Sequence, residues 1–188
     1  VTNAPQNPQY PEPGNKYGTS GYDPNQNFEM SKPPQVDRLR QMTLASMAIY
    51  LLSGVLGIIY IFSGSGREDM QQQLEGQDLG GLSVDDALMA GAISATVVSV
   101  LLMAVALVLY ILVLVGIKKR WGWARILGIV LAILGVLFVG IALFSGTPMA
   151  GGLGILVLVL DVLFVLVNVY WLVLAFNGKV GAWFARRN

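Results

Sequence analysis

The sequence predicts an all-α, polytopic membrane protein with four transmembrane helices, and three observations predict it. Of 188 residues, 55 % are hydrophobic and only 12 % are charged, too few ions to clothe a water-soluble domain. The apolar residues gather into four runs, near 42–62, 92–117, 124–144 and 153–176, each meeting the roughly 20 residues needed to cross a hydrocarbon core. Between the runs, charge segregates by sign: of 12 basic residues, all but Arg67 fall before run one, between runs two and three, or after run four. The positive-inside rule makes that face cytoplasmic, with both termini inside.

Residues 1–34 are rich in Pro, Gln, Asn, Gly and Tyr, as in Pro8-Gln9-Tyr10-Pro11-Glu12-Pro13-Gly14. With almost nothing aliphatic to bury, this stretch is expected to be a disordered or partner-bound tail, its Tyr10, Tyr17, Tyr22 and Phe28 being the contact candidates. Val1 fits removal of an initiator Met or a GTG start read literally. The first 41 residues lack the apolar core of a secretory signal, so run one is expected to stay in the membrane. Residues 35–188 form the membrane domain, with spans at about 42–62, 84–117, 124–144 and 153–176.

The loop after span one sets Arg67 against Glu68, Asp69, Glu75, Asp78, Asp85 and Asp86 and presents net negative charge to the outside. Its end, Ser83-Val84-Asp85-Asp86, has the Ser-x-x-acid spacing of a helix start, the Ser oxygen capping free N–H groups and the carboxylates facing the positive helix end. Span two therefore begins near Val84, and at about 51 Å to Ile117 it exceeds a 30 Å core, so it tilts or projects. Gly54-Val55-Leu56 through Phe62-Ser63-Gly64 is echoed by Gly135-Val136-Leu137 through Phe144-Ser145-Gly146, and Tyr110-Ile111-Leu112-Val113-Leu114 by Tyr170-Trp171-Leu172-Val173-Leu174. Two parallel helical hairpins would produce these echoes, as would chance within a restricted apolar alphabet.

The chain contains neither cysteine nor histidine. Thiolate and imidazole ligands to zinc, haem or iron–sulfur clusters are therefore missing from it, as are Ser-His and Cys-His nucleophile pairs. The expectation is a non-enzyme that binds no cofactor alone, with any oxidoreductase activity left to partner subunits and a structural phospholipid as its one small-molecule companion. No basic stripe points to nucleic acid.

Away from the span ends, Asp161 is the one acidic or basic residue within a span, and Asn168 follows seven residues later on the same helical face. An Asp at a helix centre costs about 2.5–3.5 kcal/mol to insert, so it should face protein or water with a partner. The pair reads as a polar seam: interhelical hydrogen bonding on one account, a proton, cation or quinone-headgroup site on the other. Small residues at Ser53, Gly57, Gly91, Ala95, Ser99, Gly128, Ala132, Gly135 and Gly140 offer close helix contacts. Span four is bulky instead, and its Phe164, Tyr170, Trp171 and Phe176 are expected to turn partly toward lipid or another subunit. The inner loop Lys118-Lys119-Arg120-Trp121-Gly122-Trp123-Ala124-Arg125 joins cations to rings suited to the interface. Lys118, Lys119, Arg120, Trp121, Trp123 and Arg125 are thus candidates for anionic-lipid headgroups.

The Pro/Gln/Tyr-rich tail, the Val1 start and the Arg120-Trp121-Gly122-Trp123-Ala124-Arg125 entry to span three resemble small four-span actinobacterial envelope proteins. In size and layout the chain resembles most the accessory subunit of the actinobacterial respiratory supercomplex, which joins a bc-type menaquinol complex to a haem-copper oxidase. The resemblance implies a non-catalytic role at a subunit boundary and transfers no catalytic residue. Two other readings stand beside it: a small proton- or solute-coupled transporter using Asp161 and Asn168, and a cell-envelope scaffold recruiting a partner through its tail.

Overall fold

The computed structural model describes residues 32–145 and 151–185; the tail candidates Tyr10, Tyr17, Tyr22 and Phe28 lie outside them. Within the described residues there are six helices and no strand: α1 (Pro34–Ile61), α2 (Gly64–Leu74), α3 (Val84–Lys118), α4 (Gly122–Phe144), α5 (Gly151–Ala175) and α6 (Gly178–Ala185). Helices α1, α3, α4 and α5 are long and apolar enough to cross a membrane, so the fold is the expected all-α, four-span polytopic one.

Helix α1 begins two turns before the apolar run. Pro33, extended at φ −61° and ψ 135°, leads into Pro34 at the first helical position, where proline's missing N–H has no cost. Lys32 pairs with Asp37 in the first turn. Val36 and Leu39, both wholly buried, join Ala175 of α5 and Val180 and Phe184 of α6 in the core at this basic end. Hydropathy marks the residues that match lipid and passes over these turns, which match protein.

The acidic stretch after α1, expected as a loop, contains α2. Ser63 caps it by accepting from the Gly66 amide at 3.1 Å, and Gly66 lies against α1, where a Cβ would stand 2.0 Å from the Tyr60 carbonyl oxygen. Tyr60 donates its hydroxyl proton to the Asp69 carboxylate, tying α2 back onto α1. The helix gives little apolar periodicity to read because its ties to α1 are polar or through backbone, with Met70 its apolar contact to Gly91 of α3.

Helix α3 starts at the expected cap: Ser83 accepts from the Asp86 amide at 3.1 Å and donates to its carboxylate at 2.6 Å. At 35 residues it is about 52 Å long, and its first turns project onto α2, burying Leu88 and Ala92. It ends in a Schellman motif, with the Trp121 amide on the Gly116 carbonyl at 2.9 Å and Arg120 left-handed at φ 58°. The turn is tight: a Cβ at Gly116 would lie 2.1 Å from that of Ala124.

The spans pack α1 on α5, α5 on α4, α4 on α3 and α3 on α1, a ring in which the echoing spans, α1 with α4 and α3 with α5, stand opposite one another. Two parallel hairpins packed side by side have this arrangement, as does any up-and-down ring of four sequential helices.

Candidate functional site

Helix α1 presents Leu39, Thr43, Ser46, Tyr50, Ser53, Gly57 and Tyr60 at alternating spacings of four and three, and α5 presents Gly154, Val157, Asp161, Phe164, Asn168, Trp171 and Ala175 in the same rhythm. Four pairs join the stripes: Thr43 with Trp171, Ser46 with Asn168, Tyr50 with Phe164, and Ser53 with Asp161. The residue numbers in each pair add to the same constant, which is the signature of an antiparallel register. Alternating spacings of four and three keep one seam facing a partner helix throughout its length.

The seam is hydrogen-bonded at three levels. Ser53 donates to Asp161 at 2.6 Å. Asn168, 5 % exposed, donates from Nδ2 to Ser46 at 2.9 Å and to the Phe164 carbonyl at 2.8 Å, while Ser46 lies 3.2 Å from its Oδ1 and 2.7 Å from the Tyr110 hydroxyl on α3. Trp171 donates Nε1–H to Thr43 at 2.9 Å, and Thr43 donates to the Leu39 carbonyl at 2.9 Å. Each interhelical bond of this kind contributes about 0.6 kcal/mol on average in a membrane, up to about 1.7.

Asp161 and Asn168 therefore share a face, as expected, yet each has its own serine and the two sit in different compartments. Ring contacts of Tyr50 with Phe164 at 5.9 Å and with Tyr110 at 6.4 Å lie between those serines. On one side, a cavity of about 160 Å³ is bounded by Ser53, Gly54, Ser99, Met103 and Asp161. On the other, one of about 550 Å³ reaches Thr43, Ser46, Tyr110 and Asn168 through walls of Leu102, Val105, Ala106, Leu131, Leu134 and Phe138. Ser46 and Tyr110 are absent from the sequence-level candidates. Ser46 carried a readable signal, because Ser46 and Ser53 have the same seven-residue spacing as Asp161 and Asn168.

The structure sorts both sets of packing residues by face. Span four, expected to turn its bulk partly outward, divides: Phe164 and Trp171 are buried between helices, and Tyr170 and Phe176 are exposed. Among the small residues, Gly128 faces the Trp171 indole and Gly135 the Phe164 ring, but added Cβ atoms at Gly57 and Gly140 would meet nothing within 4 Å. A different face sets Gly140 apart from Gly128 and Gly135, while Gly57 shares the α1 stripe but has open space around it, and a list of small residues carries neither faces nor distances.

The basic end also divides. Arg125 donates Nε–H to the Ala175 carbonyl at 2.8 Å, closing the end of α5. Its guanidinium is thereby committed to the fold. The Arg120 guanidinium stacks 3.7 Å from the Trp183 ring centre, a cation–π contact that anchors α6. Lys118, Lys119, Trp121 and Trp123 remain exposed, with Lys119 over the Trp121 ring at 5.1 Å and the two indoles stacked at 5.5 Å. This group is the surviving candidate for headgroup contact. Among the described residues, no three carboxylates converge to hold a metal ion.

Fold and seam together define a four-span helical bundle with a hydrogen-bonded α1–α5 spine and a cavity beside it. Compared with protein-family models, curated proteins and solved structures, the chain matches none.

Proposed function

We propose that the chain is a non-catalytic accessory subunit that stabilises a larger membrane assembly. The observation that carries this reading is the seam: Asp161 and Asn168, the polar groups a transporter would use, are both bonded across α1 and α5. They act as glue between helices. The apolar exterior supplies surface for lipid and neighbouring subunits, with Phe138, Phe144, Val173 and Phe176 all outward.

The assembly to test first is the one the sequence resembles, the bc-type menaquinol complex with its haem-copper oxidase, in a bacterial plasma membrane with the termini cytoplasmic. Electron transfer there belongs to the partners. Gentle detergent extraction from native membranes, affinity capture of this chain and identification of what remains attached is the test. Haem-containing subunits in stoichiometric amount are expected. Recovery of the chain alone, or only with copies of itself, would overturn the reading and favour the transporter.

A further inference from the structure

We propose that the 550 Å³ cavity binds a neutral single-chain amphiphile of the monoacylglycerol class, which enters sideways between α3 and α4 and places its hydroxyl head at Tyr110. The volume lies within the roughly 300–1,000 Å³ of small-molecule sites. Its walls are apolar over most of their extent, and Ala106, Gly128, Ala132 and Gly135 contribute short side chains or none to its lining. Polar atoms gather toward Thr43, Ser46, Tyr110 and Asn168. One chain and one small head match that division.

The entrance faces the membrane. Helix α3 buries no residue between Ala92 and Val113, and α4 buries none beyond Ala132. Leu102, Val105, Leu134 and Phe138 line the cavity and are exposed, Phe138 by 72 %, so this wall is not closed by the rest of the bundle. A ligand arriving between these helices comes from lipid.

The head is uncharged because, among the described residues, no carboxylate, ammonium or guanidinium lines this cavity. Asp161 belongs to the smaller compartment. A phosphate brought here would lose its water without gaining a countercharge. The head carries a hydroxyl because of how the polar atoms are already engaged. Both Asn168 amide protons have acceptors, Ser46 and the Phe164 carbonyl, and the Thr43 proton goes to the Leu39 carbonyl. Tyr110 has one bond, to Ser46 at 2.7 Å, in which either oxygen can donate. A phenol offers one donor and two acceptor sites, so capacity remains whichever way that bond runs. A hydroxyl, which both donates and accepts, complements either case.

The full chain in phosphatidylcholine nanodiscs, doped with a diazirine-bearing monoacylglycerol, is irradiated and its adducts mapped by mass spectrometry. Adducts are expected on Leu102–Tyr110 of α3 and Leu131–Val139 of α4, displaced by monoolein and not by phosphatidylglycerol. Ala106→Phe should abolish them by filling the cavity. Tyr110→Phe, which preserves ring and volume and so guards against misfolding, should weaken competition by monoolein about three- to ten-fold, the loss of one hydrogen bond. Adducts spread evenly over the outward Ile155, Leu166 and Val173 of α5, or equal displacement by phosphatidylglycerol, would mean annular lipid only and overturn the site. Unchanged competition in Tyr110→Phe would overturn it as well.

Discussion

Gly128 and Gly140 both lie on α4, and alanine at each position should have opposite consequences. A Cβ at Gly128 would stand 2.5 Å from Cη2 and 2.8 Å from Cζ2 of Trp171. Those are rigid ring atoms. The indole cannot swing aside, because it is 3 % exposed and held by its Nε1–H bond to Thr43. Overpacking of this sort costs about 1–3 kcal/mol, whereas the gain in helix propensity from Gly to Ala is at most about 1 kcal/mol. Gly128→Ala should therefore destabilise by up to about 2 kcal/mol net. At Gly140 a Cβ meets nothing within 4 Å, leaving only the propensity gain, so Gly140→Ala should be neutral or slightly stabilising. Reversible unfolding of both variants in mixed micelles would measure the difference. Combining Gly128→Ala with Trp171→Phe should recover part of the loss, since the cycle removes the clashing ring. Equal stability of the two glycine variants would refute the α4–α5 contact.

The remaining predictions concern the seam, the orientation and a helix cap. Asp161→Asn keeps an acceptor for Ser53 and should preserve the folded bundle, whereas Asp161→Leu should lower stability by about 0.6–1.7 kcal/mol, read by the same unfolding assay. A Cys introduced at Gln72 of α2 should react with an impermeant thiol reagent in intact cells and one at Gly122 should not; the reverse pattern would invert the topology. Ser83→Ala removes the cap of α3 and should cost about 1 kcal/mol, with faster amide exchange confined to residues 84–88. Exchange unchanged there would mean the cap is not holding the first turn.

Features that depend on one segment and its solvent were legible in the sequence. Four apolar runs require a medium for their side chains and a helix for their backbone, because hydrocarbon offers no partner to a free N–H or C=O. The Ser83 cap was legible for the same reason, since its donor and acceptor lie three residues apart. Tertiary structure alone decided what depends on two segments: which serine meets Asp161 or Asn168, which glycine meets an indole, and how Arg125 is consumed by the end of α5. It also decided α2 and α6, whose short helices are held by Tyr60, Val180 and Phe184 against elements elsewhere in the chain. In a membrane the greater part of each spanning helix is apolar, so the hydropathy that announces the span leaves the inward face unmarked except where a polar residue such as Asp161 or Asn168 stands. That choice falls to the fit of side chains across α1 and α5, and it appears only when both helices are in place.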